Sequence, residues 1–330
     1  MESTRQSKIP AGGPSNGEVT LLQVSKRNIR IRGKEIPVDS ITIDLDVVIA
    51  TGTFVKIASF QDEGYEQRHI GDPARYIDRL KKGNLKADIF TFIQNNPDNR
   101  PMCNCLMELD NIAAIKITSF NDWWTKKLPQ ESRKNVKKAE KKGVIVKSVN
   151  FDDDLVNGIR NIFNETPSRQ GRPFWHYGKD FETVKWEMSD NLDKAEFIGA
   201  YHNGELIGFI KILYRGKYSD IVQILSMVKH QDKRPTNALL SKAVEISELR
   251  QKEYLVYGKY IYGNKASSSL IDFKIRNGFE MLEIRRYFVP MTLKGKIMLK
   301  LKLHHGFREL IPEKLMYFLI DLRAKWHKKK

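Results

Sequence analysis

Ser226, Met227 and Val228 close an apolar run, and a basic loop from His230 to Thr236 leads from there into an amphipathic helix that Asn237 helps to open. A strand end beside a helix N-terminus leaves backbone N–H groups facing one point. Such groups suit a phosphate or a developing oxyanion. Lys233 and Arg234 add side-chain charge to the same loop. Upstream, residues 168–181 read SRQGRPFWHYGKDF, rich in Arg and aromatic rings with two Gly. A loop of that make-up between two helices suits acceptor binding through Arg169, Arg172, Trp175, His176 and Tyr177. Phe174 and Trp175 would serve equally to pin the loop to a core. Downstream, Tyr257, Tyr260 and Tyr262 are spaced across a short strand, Tyr260 and Tyr262 sharing a face, with Asn264 and Lys265 just after it. No carboxylate declares itself as a base. Glu196, Asp220 and Asp272 qualify by location, and His176 and His230 are the histidines in candidate site loops.

The elements that must position these residues follow from pattern. From Glu196 onward the order is hairpin, third strand, helix, strand, helix, strand. The hairpin turn is His202-Asn203-Gly204-Glu205, an Asn-Gly pair between alternating strands. Before it, Asp152 to Asp154 precede an apolar stripe of Leu155, Ile159, Ile162 and Phe163, which predicts a helix that Pro167 ends. A basic connecting helix is expected over 121–142, with Val136 and Ala139 on its apolar side and Gly143 as its stop. Residues 19–122 read as mixed strands and short helices, including a helix opened by Asp72-Pro73 and closed at Gly83.

The hydrophobic fraction of 41% and 16 Phe are ample for a packed core, and 330 residues suit two domains. Residues 1–18 are polar with Pro and Gly and are expected to be a disordered arm without a secretory signal. No apolar run approaches 18 residues, so no transmembrane helix is expected. Cys103 and Cys105 are read as reduced core thiols, since alternate strand positions make a poor disulfide. Two Cys without a nearby His pair do not make a zinc site, and no metal is expected. Together these features favour the cytoplasm. The net charge of +17 is unevenly placed. Residues 126–147 hold nine Lys/Arg against Glu131 and Glu140, and residues 294–330 hold eleven against Glu309, Glu313 and Asp321. Such patches attract polyanions: tRNA, nucleotide phosphates or acidic lipid headgroups. The tail from Lys294 is basic and amphipathic, suited to an anionic membrane surface at the inner face or to packing on the body of the protein.

Three stretches carry a family resemblance over about residues 20–291. They are Trp123-Trp124 with Arg133-Lys134-Asn135-Val136-Lys137-Lys138-Ala139 and Gly143-Val144; Arg234-Pro235-Thr236-Asn237-Ala238-Leu239-Leu240; and Phe273-Lys274 with Gly278-Phe279. In this order they resemble the Fem-like, tandem-domain branch of the GNAT superfamily, which includes peptidoglycan bridge-forming enzymes. The resemblance implies an α/β (α+β) protein of two tandem GNAT-like domains, with mixed sheets flanked by helices. On that reading residues 19–143 form a degenerate first domain with the basic helix, 144–293 a catalytic domain, and 294–330 a basic helical tail.

It also implies transfer of an acyl or aminoacyl group from a carrier thioester or ester to a small-molecule amine, on a sugar or cell-envelope precursor. The donor would be acyl-CoA or aminoacyl-tRNA. Ser226, Met227 and Val228 would supply the oxyanion donor, and Lys233, Arg234, Thr236, Asn237, Asn264 and Phe273 would help hold the carrier. Lys274 stands where many relatives have a proton-donating Tyr, with Tyr260 or Tyr262 reaching the acceptor. Two places that hold glycine in the acetyl-CoA pattern here hold Arg234 and Thr236, which weakens acetyl-CoA as the donor. A tRNA-dependent ligase of the Fem type and a non-catalytic module that binds an anionic partner are the alternatives. The coiled-coil hairpin frequent in such ligases is missing from the sequence.

Overall fold

The computed structural model describes residues 23–31, 34–61, 72–94, 101–169, 171–262 and 268–305. The expected N-terminal arm, Asn264, and the tail beyond residue 305 lie outside these residues. The first half holds β1 (Ser25–Ile31), β2 (Lys34–Ile43), β3 (Asp46–Thr51), β4 (Ile57–Phe60), α1 (Pro73–Lys82), β5 (Ile89–Gln94) and β6 (Leu106–Lys116). Then come α2 (Phe120–Asp122), a π-helical turn (Trp123–Lys127) and α3 (Gln130–Lys141). The second half holds β7 (Ile145–Val149), α4 (Asp153–Asn164), the two-residue strands β8 (Ser168–Arg169) and β9 (Arg172–Pro173), and α5 (Phe181–Met188). It continues with β10 (Ala195–His202), β11 (Glu205–Arg215), β12 (Tyr218–Ser226), α6 (Pro235–Leu249), β13 (Tyr254–Val256), α7 (Ser269–Arg276), β14 (Glu280–Pro290) and α8 (Leu293–Lys300).

Local chemistry sets the element ends. Asp72 caps α1 by accepting from the Ala74 N–H, with Pro73 at the first helical position. Asp152 caps α4 by accepting from the Leu155 N–H. The β10–β11 turn takes Asn203 at φ 51° and Gly204 at φ 81°, the paired left-handed conformations that suit Asn-Gly in a two-residue hairpin. The single connecting helix expected over 121–142 is two pieces. Pro129 follows an extended Leu128, and a new helix starts at Gln130. Arg133 of that helix donates to the carbonyls of Trp124, Thr125 and Leu128 and so ties the two pieces together.

Twelve strands form one sheet in the order β1-β2-β3-β4-β5-β14-β6-β13-β12-β11-β10-β7. The last strand, β14, inserts between β5 and β6, antiparallel to both. The turn at Gly143, where the two expected domains meet, therefore lies within a chain whose sheet is continuous. Alternation along the central strands divides the second half into two layers. Ile198, Ile207 and Ile210 pack with Leu239 and Val244 of α6 and Ala139 of α3. Phe197, Leu206 and Phe209 face the other way, against Ile159 and Phe163 of α4 and Val184 of α5. In the first half, Phe90, Phe92 and Tyr287 form a separate core.

The side chains of Cys103 and Cys105 face one another, their Cα atoms 5.4 Å apart. Separate reduced thiols on a strand face were expected. The segment is a bend before β6, which turns the two side chains together.

Candidate active site

β12 and β13 pair in parallel for three residues: Tyr218 with Tyr254, Ser219 with Leu255, and Asp220 with Val256. Then they part. Beyond Val256 the backbone is drawn to β6, where the Tyr257 N–H donates to the Ala113 carbonyl and the Ala113 N–H to the Gly258 carbonyl. β12 meanwhile stays on β11 as far as Ser226. From Ile221 to Ser226, one edge of β12 has no strand neighbour among the described residues. A cavity of about 550 Å³ opens along this stretch. It is lined by Val222 to Leu225, by Tyr257, and by Trp175, His176 and Trp186 from the loop before α5 and from α5 itself.

At the point of divergence lies Asp220, its side chain 16% exposed and 3.3 Å from Arg215. Burial pushes its carboxyl up to about 6, against the pull of Arg215. Burial raises the Tyr262 hydroxyl, and the charge of Asp220 adds to that rise. Lys274 approaches from α7, whose Ser268 cap and Ile271/Lys274 spacing turn the lysine inward. Its side chain is fully buried. The ammonium donates to the Lys259 carbonyl and lies 5.3 Å from the Tyr257 ring centroid and 5.0 Å from that of Tyr262. Burial pushes it down to about 8. Gly278, just past α7, sits at φ 77°, where a Cβ would stand 3.1 Å from the Trp123 indole nitrogen. The motif glycine thus lets α7 close against the π-helical turn.

The tyrosines are placed differently from the expectation. β13 ends at Val256, so Tyr260 and Tyr262 do not share a strand face. Tyr260 packs on the α6-side core, and Tyr262 is about half exposed. Tyr257 lines the cavity, its hydroxyl pushed up to about 12 by burial and by Tyr262. Phe273 meets Tyr257 edge-on at 6.1 Å and buttresses it.

The donor end also departs from the expected backbone oxyanion site. The Met227 N–H donates to the Ile207 carbonyl, and the Met227 side chain is buried. The Val228 and Lys229 N–H groups donate to the two carboxylate oxygens of Glu165, at 2.6 and 2.8 Å. Glu165 thus already occupies the anion-recognising amides of this turn. Ser226 bonds Thr236 hydroxyl to hydroxyl at 2.8 Å, joining the strand end to α6. Lys233 lies 3.5 Å from Asp232. Arg234 sits at φ 57°, a left-handed position before α6 that usually favours glycine. Asn237 donates to Asn277 and links α6 to the end of α7.

Of the acceptor-loop residues, the structure brings Trp175 and His176 to the cavity. Arg169 is a strut: it stacks on Phe174 at 4.5 Å, donates to the carbonyls of Ser226 and Ile162, and pairs with Glu165. Arg172 and Tyr177 are exposed and lie away from the cavity lining. His176 is buried between Phe163 and Trp175. Burial, with Lys179 and Arg169 nearby, pushes it down to about 3, so the ring is neutral. Lys179, held by both oxygens of Glu187, approaches Nδ1 at 3.4 Å, and Nε2 faces the Gln223 amide at 3.1 Å. Such a neutral, held ring orients Gln223 in the cavity wall.

The other base candidates are engaged elsewhere. On Glu196, burial is outweighed by hydrogen bonds from Ser148, Tyr214 and Arg250, which hold its carboxyl low. Asp272 is exposed on α7, and His230 pairs with Glu205 at 3.1 Å. That leaves Asp220 and Lys274, with Tyr257 between the lysine and the cavity. An ionised Asp220 can take a proton, and Lys274 can steady negative charge or supply a proton.

No family model matches the sequence, and no curated protein matches it. Among solved structures, the chain is similar to FemX at 9% identity and a TM-score of 0.54, covering 84% of this chain and 90% of that one. It is also similar to the C-terminal domain of a putative lysylphosphatidylglycerol synthetase from Agrobacterium fabrum, at 11% identity and a TM-score of 0.51. That match covers 81% of this chain and 88% of the other. At such identities the likeness is one of fold. The chain has a mixed α/β fold that it shares with FemX and with the synthetase domain.

Proposed function

We propose that this protein moves an aminoacyl group from an ester donor to an amine in the opening between β12 and β13. The observation that carries this reading is that Asp220 and Lys274, a carboxyl raised to about 6 and an ammonium lowered to about 8, both approach Tyr262 beside that opening. Near pH 7 the first is ionised and the second protonated, as a base and an acid should be. The amine nitrogen attacks the acyl carbon and gives its proton to Asp220. The C–O bond to the carrier breaks, and the departing oxygen takes a proton that Lys274 supplies by way of the Tyr257 hydroxyl. The products are an amide and the free carrier hydroxyl.

Glu165 supports an aminoacyl ester over acyl-CoA. Its carboxylate sits on the amides that a pyrophosphate would need, and two like charges cannot share them. The exposed lysines of α3 lie beside the same loop, since Lys142 of its C-terminal turn pairs with Asp232 at 2.6 Å. That basic surface suits the backbone of a tRNA carrier. The fold supports the same reading, since FemX and the synthetase domain share it. The second neighbour's name couples a lysyl group with an anionic phospholipid, which keeps a cell-envelope acceptor in view. No helix among the described residues is long and apolar enough to cross a membrane. An acceptor in the envelope would be met at the membrane surface.

The test is transfer itself, with charged tRNA and acyl-CoA offered separately as donors to an amine acceptor. Amide formed from charged tRNA, and lost with Lys274→Met, is the expected result. Transfer from acyl-CoA alone would overturn the donor assignment. No donor bound and no amide formed would make the protein a binding module.

A further inference from the structure

A cluster outside the residues of the proposed active site gathers three metal-ligating side chains. Glu108 projects from β6, and His304 and His305 from the turn after α8. Their ligand atoms all lie within 4.8 Å of one another. His304 Nε2 is 3.1 Å from one carboxylate oxygen of Glu108, and His305 Nε2 is 2.6 Å from the other. The two imidazoles, adjacent in sequence, lie with centroids 4.0 Å apart and aim the same nitrogen at one carboxylate.

We propose that Glu108, His304 and His305 form a binding site for a divalent transition-metal ion of the zinc type. Zinc takes imidazole nitrogen and carboxylate oxygen at about 2.0–2.2 Å, which sets ligand atoms roughly 3.3 Å apart around a tetrahedron. The two nitrogen–oxygen separations need change by less than an ångström, and the nitrogen–nitrogen separation, within 4.8 Å, by at most about 1.5 Å. An N₂O set selects zinc-like ions over calcium or magnesium, which prefer oxygen. His304 is buried and His305 is 37% exposed, so one side of the site stays open to water as a fourth ligand. Phe288 packs edge-on against both rings, at 4.5 and 5.8 Å, and gives the site an apolar wall. Arg286, the strand partner of Glu108, directs its guanidinium toward Asp110 and Thr91.

The ligands are 196 residues apart in the chain. An ion there ties the turn after α8 to β6 across β14, so binding shows as stability. The expected role is a staple for the C-terminal end of the described chain.

The experiment uses the full-length, tag-free protein stripped with EDTA and titrated with Zn²⁺ by calorimetry and by thermal melting. One site should titrate. At a hundredfold excess over Kd, Tm should rise by about 4 °C for a chain of this size. His305→Ala and Glu108→Gln should each weaken zinc binding by about 10-fold or more, with melting confirming that both variants fold. His202→Ala, beside the separate Glu205–His230 pair, should leave it unchanged. The proposal is overturned if both variants keep wild-type zinc affinity, if His202→Ala removes the binding, or if roughly 100 μM free Zn²⁺ gives neither heat nor a shift in Tm.

Discussion

Replacing Lys274 with Met should raise stability while removing activity. The ammonium is fully buried and meets no carboxylate among the described residues. Its pKa falls from 10.5 to about 8. At about 1.36 kcal/mol per unit, holding the charged form at pH 7 disfavours folding by roughly 3 kcal/mol. Met fills similar space without the charge, but it leaves the Lys259 carbonyl without its donor, a loss of about 1–2 kcal/mol. The net gain is about 1–2 kcal/mol at pH 7, or roughly 1.5–3 °C in Tm. The sign depends on pH. The folded pKa lies below the unfolded one, so between about 8 and 10.5 the unfolded chain binds more protons and wild-type stability rises with pH. Above that window the amine is neutral in both states, and only the lost hydrogen bond remains. Wild type should then be the more stable form. Paired melts of the two proteins at pH 7 and pH 10.5 test this. A variant less stable at both pH values by the same amount would refute the buried-amine account.

Three further outcomes follow from the site. Asp220→Asn should remove the acidic limb of the rate profile, which in wild type rises through about pH 6 as the carboxyl ionises and falls above about pH 8 as Lys274 loses its proton. Its rate near pH 7 should drop by about 10²–10⁴-fold, measured as kcat/KM against pH. Glu165→Ala should speed hydrogen exchange at the Val228 and Lys229 amides by roughly tenfold or more, because two charge-assisted bonds are lost; unchanged exchange would show that the carboxylate does not hold this turn. Trp175→Ala should raise the acceptor KM by about tenfold with little change in kcat or Tm, since this exposed ring lines the cavity without holding the core.

Much of the local structure was legible because it is written in neighbouring residues. Asp72-Pro73, the Asp152 cap and the Asn203-Gly204 turn each fix backbone geometry through their own chemistry. The order of elements read from Glu196 onward and the Fem-like resemblance led to a fold that the chain shares with FemX. What escaped the sequence depends on partners far along the chain. The insertion of β14 between β5 and β6 pairs residues nearly two hundred positions apart. The short length of β13 is set by Ala113, which captures Tyr257 and Gly258; by composition alone the tyrosines seemed to continue a strand. Glu165 looked like an ordinary charge near a helix end, and only the fold brings Val228 and Lys229 onto it. Asp220 stood in the sequence beside Glu196 and Asp272. Distant partners separate them: Ser148, Tyr214 and Arg250 hold Glu196 low, whereas burial raises Asp220 against Arg215, and Asp272 is exposed.

The central claim is that the transferred group sits along the free edge of β12. It is tested most directly by photo-crosslinking with an amide-linked aminoacyl-adenosine that carries a photoreactive side chain. The account predicts crosslinks in residues 221–226 and at Tyr257, competed away by charged tRNA. Crosslinks confined to the opposite face, around Lys147, Ser148 and Arg250, would contradict it.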